Sequence, residues 1–162
     1  MLPQNEMSHL QWLGIWGMTG FSKPENSDLD KWSKGITYLL ADPKGLHYFK
    51  EFLSEPARNF EAHAQILGIW AECDKLINQG IPVISRDDAR AVLDKARENL
   101  SMSSGELCQV ELNINSGNEG QIRDEVIKMQ EAARDDLNSV YSSFIMYSKR
   151  LNSSKKVKCL IL

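Results

Sequence analysis

The stretch that most constrains the fold is residues 31–53, which indicates two short amphipathic helices separated by a strong helix boundary. Asp42 is a typical N-cap residue, and Pro43 suits the first position of the helix that follows. Apolar residues recur at helical spacing on both sides, so each helix has one face to bury. These residues are Trp32, Ile36, Leu39 and Leu40 before the boundary and Leu46, Phe49, Phe52 and Leu53 after it. The stretch therefore predicts a helical core organised around this pair.

Helical patterns continue along most of the chain. The predicted helices cover about 28–40, 42–54, 57–78, 86–100 and 119–147. The first begins at a cap on Ser27 or Asp28 and contains Gly35 in its interior. Residues 101–120 are rich in serine, glycine and asparagine and are predicted to form an extended loop, and residues after Leu151 are predicted to be disordered. Without a convincing sheet, the expected class is all-α, a bundle of about seven to nine helices.

Length and composition suit one domain with tails. The 162 residues are divided into an N-terminal segment packing on the domain (1–27), the domain itself (28–148) and a basic tail (149–162). The apolar fraction of 42% and the charged fraction of 25% are ordinary for a globular protein, and a net charge of −3 argues against nucleic-acid binding. Three scattered cysteines do not form a disulfide framework, and no secretory signal or membrane-spanning run is present. An intracellular protein is expected.

The N-terminal segment carries an apolar patch that includes Trp12 and Trp16. Packing of these tryptophans on the domain is the expected arrangement. The alternative is an exposed contact with a partner or a membrane.

Catalytic and metal-binding patterns are absent from the sequence. His9, His47 and His63 do not occur with cysteines or acids at metal-ligand spacing, so no metal is expected. There is no glycine-rich phosphate loop, nucleophile elbow or HExxH motif. The prediction is a protein that is not an enzyme and needs no cofactor.

The strongest short motif is at the C-terminus. Cys159-Leu160-Ile161-Leu162 fits a C-a-a-X box, and leucine in the last position favours geranylgeranylation of Cys159. A single lipid holds a protein only weakly at a membrane, and a basic cluster supplies a second attraction to an anionic surface. The basic residues are Lys149, Arg150, Lys155, Lys156 and Lys158. The motif predicts attachment to the cytoplasmic face of a membrane, the plasma membrane in particular; the alternative is a chance cysteine.

Three patterns, taken in order, resemble the regulator of G-protein signalling (RGS) homology domain. They are Trp32…Leu39-Leu40-Ala41-Asp42…Gly45…Phe49…Phe52-Leu53, then Trp70-Ala71-Glu72-Cys73, then Tyr141-Ser142-Ser143-Phe144 with Ser148. The resemblance covers about residues 28–148 and implies an all-α bundle of about nine helices. Family members act mainly as GTPase-activating proteins for heterotrimeric G-protein α subunits. They contribute no catalytic side chain and instead hold the switch segments of the α subunit in position.

The resemblance also implies a partner surface made of three segments. These are the loop before the central helix, the loop after the next helix, and the turn near the last motif, which correspond here to 55–66, 108–115 and 138–144. The candidate partner-binding residues are Glu55, Asn59, Gln65, Ile66, Glu111, Asn113 and Ser143. The expected function is a membrane-tethered activator of GTP hydrolysis by a G-protein α subunit. The alternatives are a scaffold module of the same fold without that activity and, less favoured, a catalytic protein of another kind.

Overall fold

The computed structural model describes residues 20–78, 80 and 82–160, and their side chains as far as Ser153. Over these residues the chain forms seven α-helices, one 3-10 turn and no strand, which confirms the predicted all-α class. The helices are α1 (Asn26–Trp32), α2 (Ile36–Ala41), α3 (Pro43–Ser54), α4 (Glu61–Asn78), α5 (Arg86–Asn99), α6 (Ser104–Ser116) and α7 (Glu119–Leu160), and the 3-10 turn is Pro56–Arg58. The predicted packing of Trp12 and Trp16 lies outside the described residues.

The predicted helix boundary at Asp42 is confirmed. The Asp42 side chain accepts a hydrogen bond from the Gly45 backbone N–H, and Pro43 occupies the first turn of α3. The apolar faces on the two sides of this boundary meet in the core, where Trp32, Leu39 and Phe49 are fully buried. The helix pair therefore forms where the sequence indicates it.

The prediction of one continuous helix through Gly35 is wrong, because the chain breaks there into α1 and α2. Gly35 has φ 155°, a backbone conformation that residues with a side chain rarely adopt, and it serves as the N-cap of α2. Helix α1 also begins earlier than predicted. Its N-cap is Glu25, which forms a capping box with Asp28.

Helices α4 to α7 form an antiparallel bundle in which α4 packs most extensively on α7. The pairing of these two helices is marked by three polar contacts along their length: His63 with Ser139, Asp74 with Gln130, and the Ile77 carbonyl with Arg123. Since the residue numbers rise on one helix as they fall on the other, α4 and α7 run in opposite directions. The start of α4 therefore lies beside the middle of α7, and the end of α4 beside its start.

Helices α5 and α6 complete the bundle and also run antiparallel to each other. Arg97 of α5 pairs with Glu111 of α6, and Arg90, seven residues earlier on α5, bonds Asn115, four residues later on α6. The connection between these two helices lies at the same end of the bundle as the start of α4, because Ser101 bonds Asp136 of α7 close to the contact between His63 and Ser139.

The predicted extended loop over 101–120 is wrong, because most of it is helix α6. Ser103 caps this helix and forms a capping box with Glu106, which satisfies two otherwise unpaired backbone N–H groups. Val110 and Ile114, four residues apart, are fully buried on one side. Because this helix buries only a narrow apolar stripe, its mostly polar composition did not indicate a helix.

Two further boundaries differ from the prediction. Helix α4 begins at Glu61 instead of Ala57, because the 3-10 turn Pro56–Arg58 and Asn59, with φ 57°, precede it. Helix α7 is continuous from Glu119 to Leu160, so the predicted disorder is wrong for 152–160, and residues 161 and 162 lie outside the described part of the chain.

The first three helices pack on the later part of α7 through an aromatic cluster. The Phe144 ring lies 5.9 Å from that of Trp32, 5.1 Å from that of Phe49 and 5.6 Å from that of Phe52. The Tyr141 hydroxyl donates to the Trp32 carbonyl. The residues of the opening helix pair thus meet the predicted closing motif directly.

Candidate protein-interaction site

Three separate segments meet at one end of the bundle, which we call the loop end. It consists of residues 55–60, which include the 3-10 turn, the connection 100–103, and residues 136–147 of α7 together with His63. The Ser101 backbone N–H donates to Asp136 Oδ2 at 2.8 Å, and His63 Nε2 lies 3.2 Å from Ser139 Oγ. The first contact fastens the connection 100–103 to α7, and the second fastens the start of α4 to the same helix.

The contacts follow one stripe of α7. Asp136, Ser139 and Ser143 are separated by three and four residues, so they project from the same face of the helix. Asp136 meets the α5–α6 connection, Ser139 meets α4, and Ser143 lines a cleft beside the 3-10 turn. Because α7 is one unbroken helix here, it fixes the spacing of all three segments.

The 3-10 turn exists because Pro56 ends α3. Proline disfavours the helical conformation for the residue before it, and Glu55 is accordingly extended, with ψ 119°. The turn closes on Asn59, which is exposed and left-handed, a conformation that asparagine tolerates better than most residues. Its side chain is therefore presented at the surface of the loop end.

The connection 100–103 is held on both sides. Leu100 is buried, Met102 packs against the core, and Ser103 begins α6 as its N-cap. Together with the bond from Ser101 to Asp136, these contacts leave the short connection little freedom to move.

A cleft of about 300 Å³ opens between the 3-10 turn and α7. Its lining consists of Phe52, Arg58, Phe60, Ser143, Met146, Tyr147 and Arg150. The Arg58 guanidinium carbon lies 4.7 Å from the centre of the Phe52 ring and 4.5 Å from that of the Tyr147 ring. Arg58 also forms an ion pair with Glu55. The loop end thus combines a fixed cationic group with apolar walls.

The structure brings together some of the predicted contact residues. Glu55, Asn59 and Ser143 lie at the loop end, and all three are exposed. Gln65 is exposed on α4, two residues after His63, whereas Ile66 is 7% exposed and packs in the core.

Glu111 and Asn113 lie elsewhere, because 108–115 is part of helix α6 and not the loop that the prediction assumed. Asn113 Nδ2 donates to Glu125 Oε1 at 2.8 Å, and Glu111 pairs with Arg97 at 2.6 Å. Glu125 precedes Ser143 by eighteen residues on α7, which corresponds to about 27 Å along the helix axis. The loop that follows α5 is 100–103, and it does reach the loop end.

Two residues of the loop end, Ser101 and Asp136, lie outside the segments predicted from the sequence, whereas Arg58 and Phe60 lie within the predicted segment 55–66 but were not singled out as contact residues. The proline at position 56 and the Ser103-x-x-Glu106 capping pattern indicate where the two connections lie. Neither signal shows that Asp136 would meet Ser101, since that depends on how α7 aligns with its neighbours.

The described groups show no arrangement for catalysis at the loop end. Ser139 donates its hydroxyl hydrogen to the Asp136 carbonyl at 2.8 Å, so His63 has no hydroxyl proton of Ser139 to accept. Burial raises the pKa of the Cys73 thiol to about 12, which keeps it protonated and unreactive at neutral pH. Within 20–78 and 82–153, no three histidine, cysteine or acidic residues are grouped to hold a metal ion.

The fold and this site define an all-α bundle with a three-part surface at one end. A comparison of the chain with known proteins found no matching family model, no matching curated protein and no matching solved structure. Over the described residues, no helix is long and apolar enough to cross a bilayer.

Proposed function

We propose that the chain is a membrane-tethered RGS-like protein that binds a heterotrimeric G-protein α subunit through the loop end and accelerates its GTP hydrolysis. The observation that supports this most is the meeting of three segments, 55–60, 100–103 and 136–147, along one stripe of α7. They are the loop before the central helix, the loop after the next helix, and the region of the last motif. These are the segments that the RGS resemblance implies for the partner surface.

In the proposed mechanism, the activator positions the α subunit's switch segments and takes no part in the chemistry itself. The Ser101–Asp136 bond and the His63–Ser139 contact hold the segments in a fixed arrangement before the partner arrives. A preformed surface loses little conformational entropy on binding, so its binding energy can hold the switch segments of the α subunit in their reactive geometry. The α subunit supplies the nucleotide, the metal ion and the catalytic groups.

The tether is the C-a-a-X motif. Geranylgeranylation of Cys159, assisted by the basic residues that precede it, would hold the protein at the cytoplasmic face of the plasma membrane. Ser143 and Cys159 belong to the same helix, and a rise of about 1.5 Å per residue separates them by about 24 Å along its axis. The anchor would therefore keep the loop end close to a membrane-bound α subunit.

A second candidate is a binding module of the same fold that does not activate. Two observations favour it. Ile66, one of the predicted contact residues, is buried in the core, and Asn113 is engaged with Glu125 at the other end of the bundle. A surface without those two side chains can still bind a partner without promoting hydrolysis.

Single-turnover GTP hydrolysis by a panel of α subunits tests the proposal, with the full chain as activator. We expect acceleration by the unmodified chain and loss of acceleration with Ser143→Arg, which places a large charged side chain in the cleft. Ser116→Arg is the matched control: the same substitution at an exposed helical position, on the last turn of α6 away from the loop end. Binding to the transition-state-mimicking α subunit without acceleration would favour the non-activating module. If no α subunit is bound or activated, the proposed G-protein function is refuted, and the non-activating module would have another protein as its partner.

The tether has a separate test. Cys159→Ser should move the protein from the membrane fraction to the soluble fraction of cells. Continued membrane residence of the variant would contradict prenyl anchoring at Cys159.

A further inference from the structure

The cleft at the loop end combines two cationic side chains with apolar walls. Arg58 and Arg150 lie among its lining residues, together with the rings of Phe52, Phe60 and Tyr147. Met146, which is 56% exposed, adds a further apolar group on α7. A site of this composition suits a ligand that carries a negative charge next to an apolar group.

Arg58 is held in a fixed orientation before any ligand binds. Its guanidinium carbon lies 4.7 Å from the centre of the Phe52 ring and 4.5 Å from that of the Tyr147 ring, and cation–π attraction adds to this packing. The two ring centres are 5.2 Å apart, so both rings lie to one side of the group, and its N–H groups remain for hydrogen bonding. A fixed guanidinium edge matches the two oxygens of a carboxylate.

In the free chain that edge is already paired with a carboxylate. Glu55, three residues earlier, forms an ion pair with Arg58. The Glu55 side chain is 50% exposed and the Arg58 side chain 24% exposed, so water can reach the pair. Exposed ion pairs contribute little to stability, so another carboxylate can replace Glu55 at small cost.

We propose that the cleft binds an acidic side chain of the protein partner, and that the incoming carboxylate replaces Glu55 on Arg58. An apolar side chain beside that acid packs on Phe60 and Met146, while Arg150 adds a second positive charge to the cleft. The inference rests on the proposed function insofar as a protein binds the loop end. It adds the chemistry of the segment that the partner presents and assigns Glu55 the role of an internal competitor.

An anionic phospholipid headgroup has the same charge but fits the position less well. Tyr147, whose ring lies against Arg58, precedes Cys159 by twelve residues on α7, which corresponds to about 18 Å along the helix axis. If α7 stands upright on the membrane, a headgroup beside Cys159 does not reach Arg58. Binding to vesicles is therefore included as an outcome of the test.

The first measurement uses a peptide and the full chain carrying Cys159→Ser, which removes the lipidated cysteine. The probe is a twelve-residue peptide of alternating glutamate and leucine, and its control has glutamine in place of every glutamate. NMR signals of the Arg58 side-chain N–H and the Met146 methyl group report on the cleft. We expect both signals to shift with the acidic peptide and the glutamine peptide to bind at least tenfold more weakly.

Two substitutions change the affinity in opposite directions. Arg58→Gln should weaken binding of the acidic peptide about tenfold or more, because the paired charge is lost. Glu55→Gln should strengthen it about two- to fivefold, because the internal competitor is removed. A gain in affinity cannot arise from misfolding, so the second variant keeps the test decisive if the first folds poorly. Glu72→Gln, which removes the partner of Lys95 on the exposed side of α4, is the matched control and should leave the affinity unchanged.

Equal affinity for the two peptides, or no effect of Glu55→Gln, would overturn the inference. If Arg58→Gln weakens binding to phosphatidylserine vesicles more than it weakens binding to the peptide, the inference is overturned in favour of a lipid site. The failure of each proposal is distinguishable. If the Arg58 and Glu55 variants bind an α subunit and accelerate its GTP hydrolysis as well as the unmodified chain does, the inference fails while the proposed function stands. If the peptide binds as expected but no α subunit does, the proposed function fails while the acidic-segment site stands.

Discussion

The indole Nε1 of Trp32 donates a hydrogen bond to Oδ2 of Asp42 at 2.7 Å. The same oxygen accepts the Gly45 backbone N–H at 3.2 Å and so caps helix α3. Trp32 is fully buried, and its indole N–H needs a partner in the core. One carboxylate oxygen of Asp42 therefore caps helix α3 and also accepts the hydrogen bond of the buried Trp32 indole, which explains why the two helices of the opening stretch form as a pair.

Asp42→Ala should lower the free energy of unfolding by about 2–4 kcal/mol, because it removes the N-cap and leaves a buried indole N–H unpaired. Asp42→Asn should cost less than about 1 kcal/mol, since the amide oxygen can accept both bonds. Urea unfolding of the two variants and the unmodified chain measures the difference. Equal losses for the two variants would show that the shared oxygen is not what stabilises the boundary.

Gly45→Ala should destabilise the chain although alanine favours helices. A Cβ at this position would lie 2.7 Å from Trp32 Nε1 and 2.8 Å from the Leu39 carbonyl oxygen, so either the backbone or the indole must move. Overpacking of this kind costs about 1–3 kcal/mol, which exceeds the propensity gain of about 1 kcal/mol.

Gly68→Ala on α4 is the control for that substitution. A Cβ there meets nothing within 4 Å, so the propensity gain should appear undiminished as a stabilisation of about 0.5–1 kcal/mol. Thermal and urea unfolding of both variants give the comparison. Stabilisation by Gly45→Ala would contradict the close approach of Trp32 to the α3 backbone.

The elements that the sequence predicted well carry strong local signals. Asp42 and Pro43 define a boundary, Ser85 caps α5 by accepting the Asp88 N–H, and the buried residues of α7 recur at helical spacing over several turns. Helix α6 was missed because Val110 and Ile114 give too short an apolar pattern to outweigh the surrounding polar residues. Its capping box at Ser103 and Glu106 was the available signal.

The candidate site was less predictable than the fold. Glu55, Asn59 and Ser143 were expected at a partner surface and lie together at the loop end. Asp136 and Ser101 were not expected there, since their contact depends on how α7 aligns with the connection 100–103. Helix periodicity indicates which face is buried, but it does not indicate how far two helices are shifted along each other.

The Glu106 carboxyl makes the free energy of unfolding depend on pH. A hydrogen bond with the Ser103 backbone N–H, and to a smaller extent one with the Ser103 hydroxyl, lower the pKa of this carboxyl below its ordinary 4.5. A carboxyl whose pKa is lower in the folded state stabilises the fold above its unfolded-state pKa, and this contribution is lost as the pH falls through the folded-state value. The capping box of α6 should therefore weaken in acid.

Glu106→Gln isolates this effect, because glutamine can still complete the capping box but does not titrate. The stability advantage of the unmodified chain over this variant should be constant near pH 7 and should shrink as the pH falls below 4.5. Urea unfolding at several pH values measures it, and all other acids titrate equally in both chains. A difference that stays constant down to pH 3 would contradict the stated role of the Glu106 carboxylate.

The bond between Asn113 and Glu125 at the other end of the bundle carries the last prediction. Glu125 is 8% exposed, its Oε1 accepts from Asn113 Nδ2 at 2.8 Å, and no described residue hydrogen-bonds its Oε2. Asn113→Ala should cost about 1–3 kcal/mol, because it removes the hydrogen bond that the buried carboxyl group makes with α6. In a chain that already carries Glu125→Leu, the same substitution should cost much less, since no buried polar group loses its partner. A double-mutant cycle of urea unfolding measures the coupling, and an equal cost of Asn113→Ala in both backgrounds would show that the bond does not stabilise the α6–α7 contact.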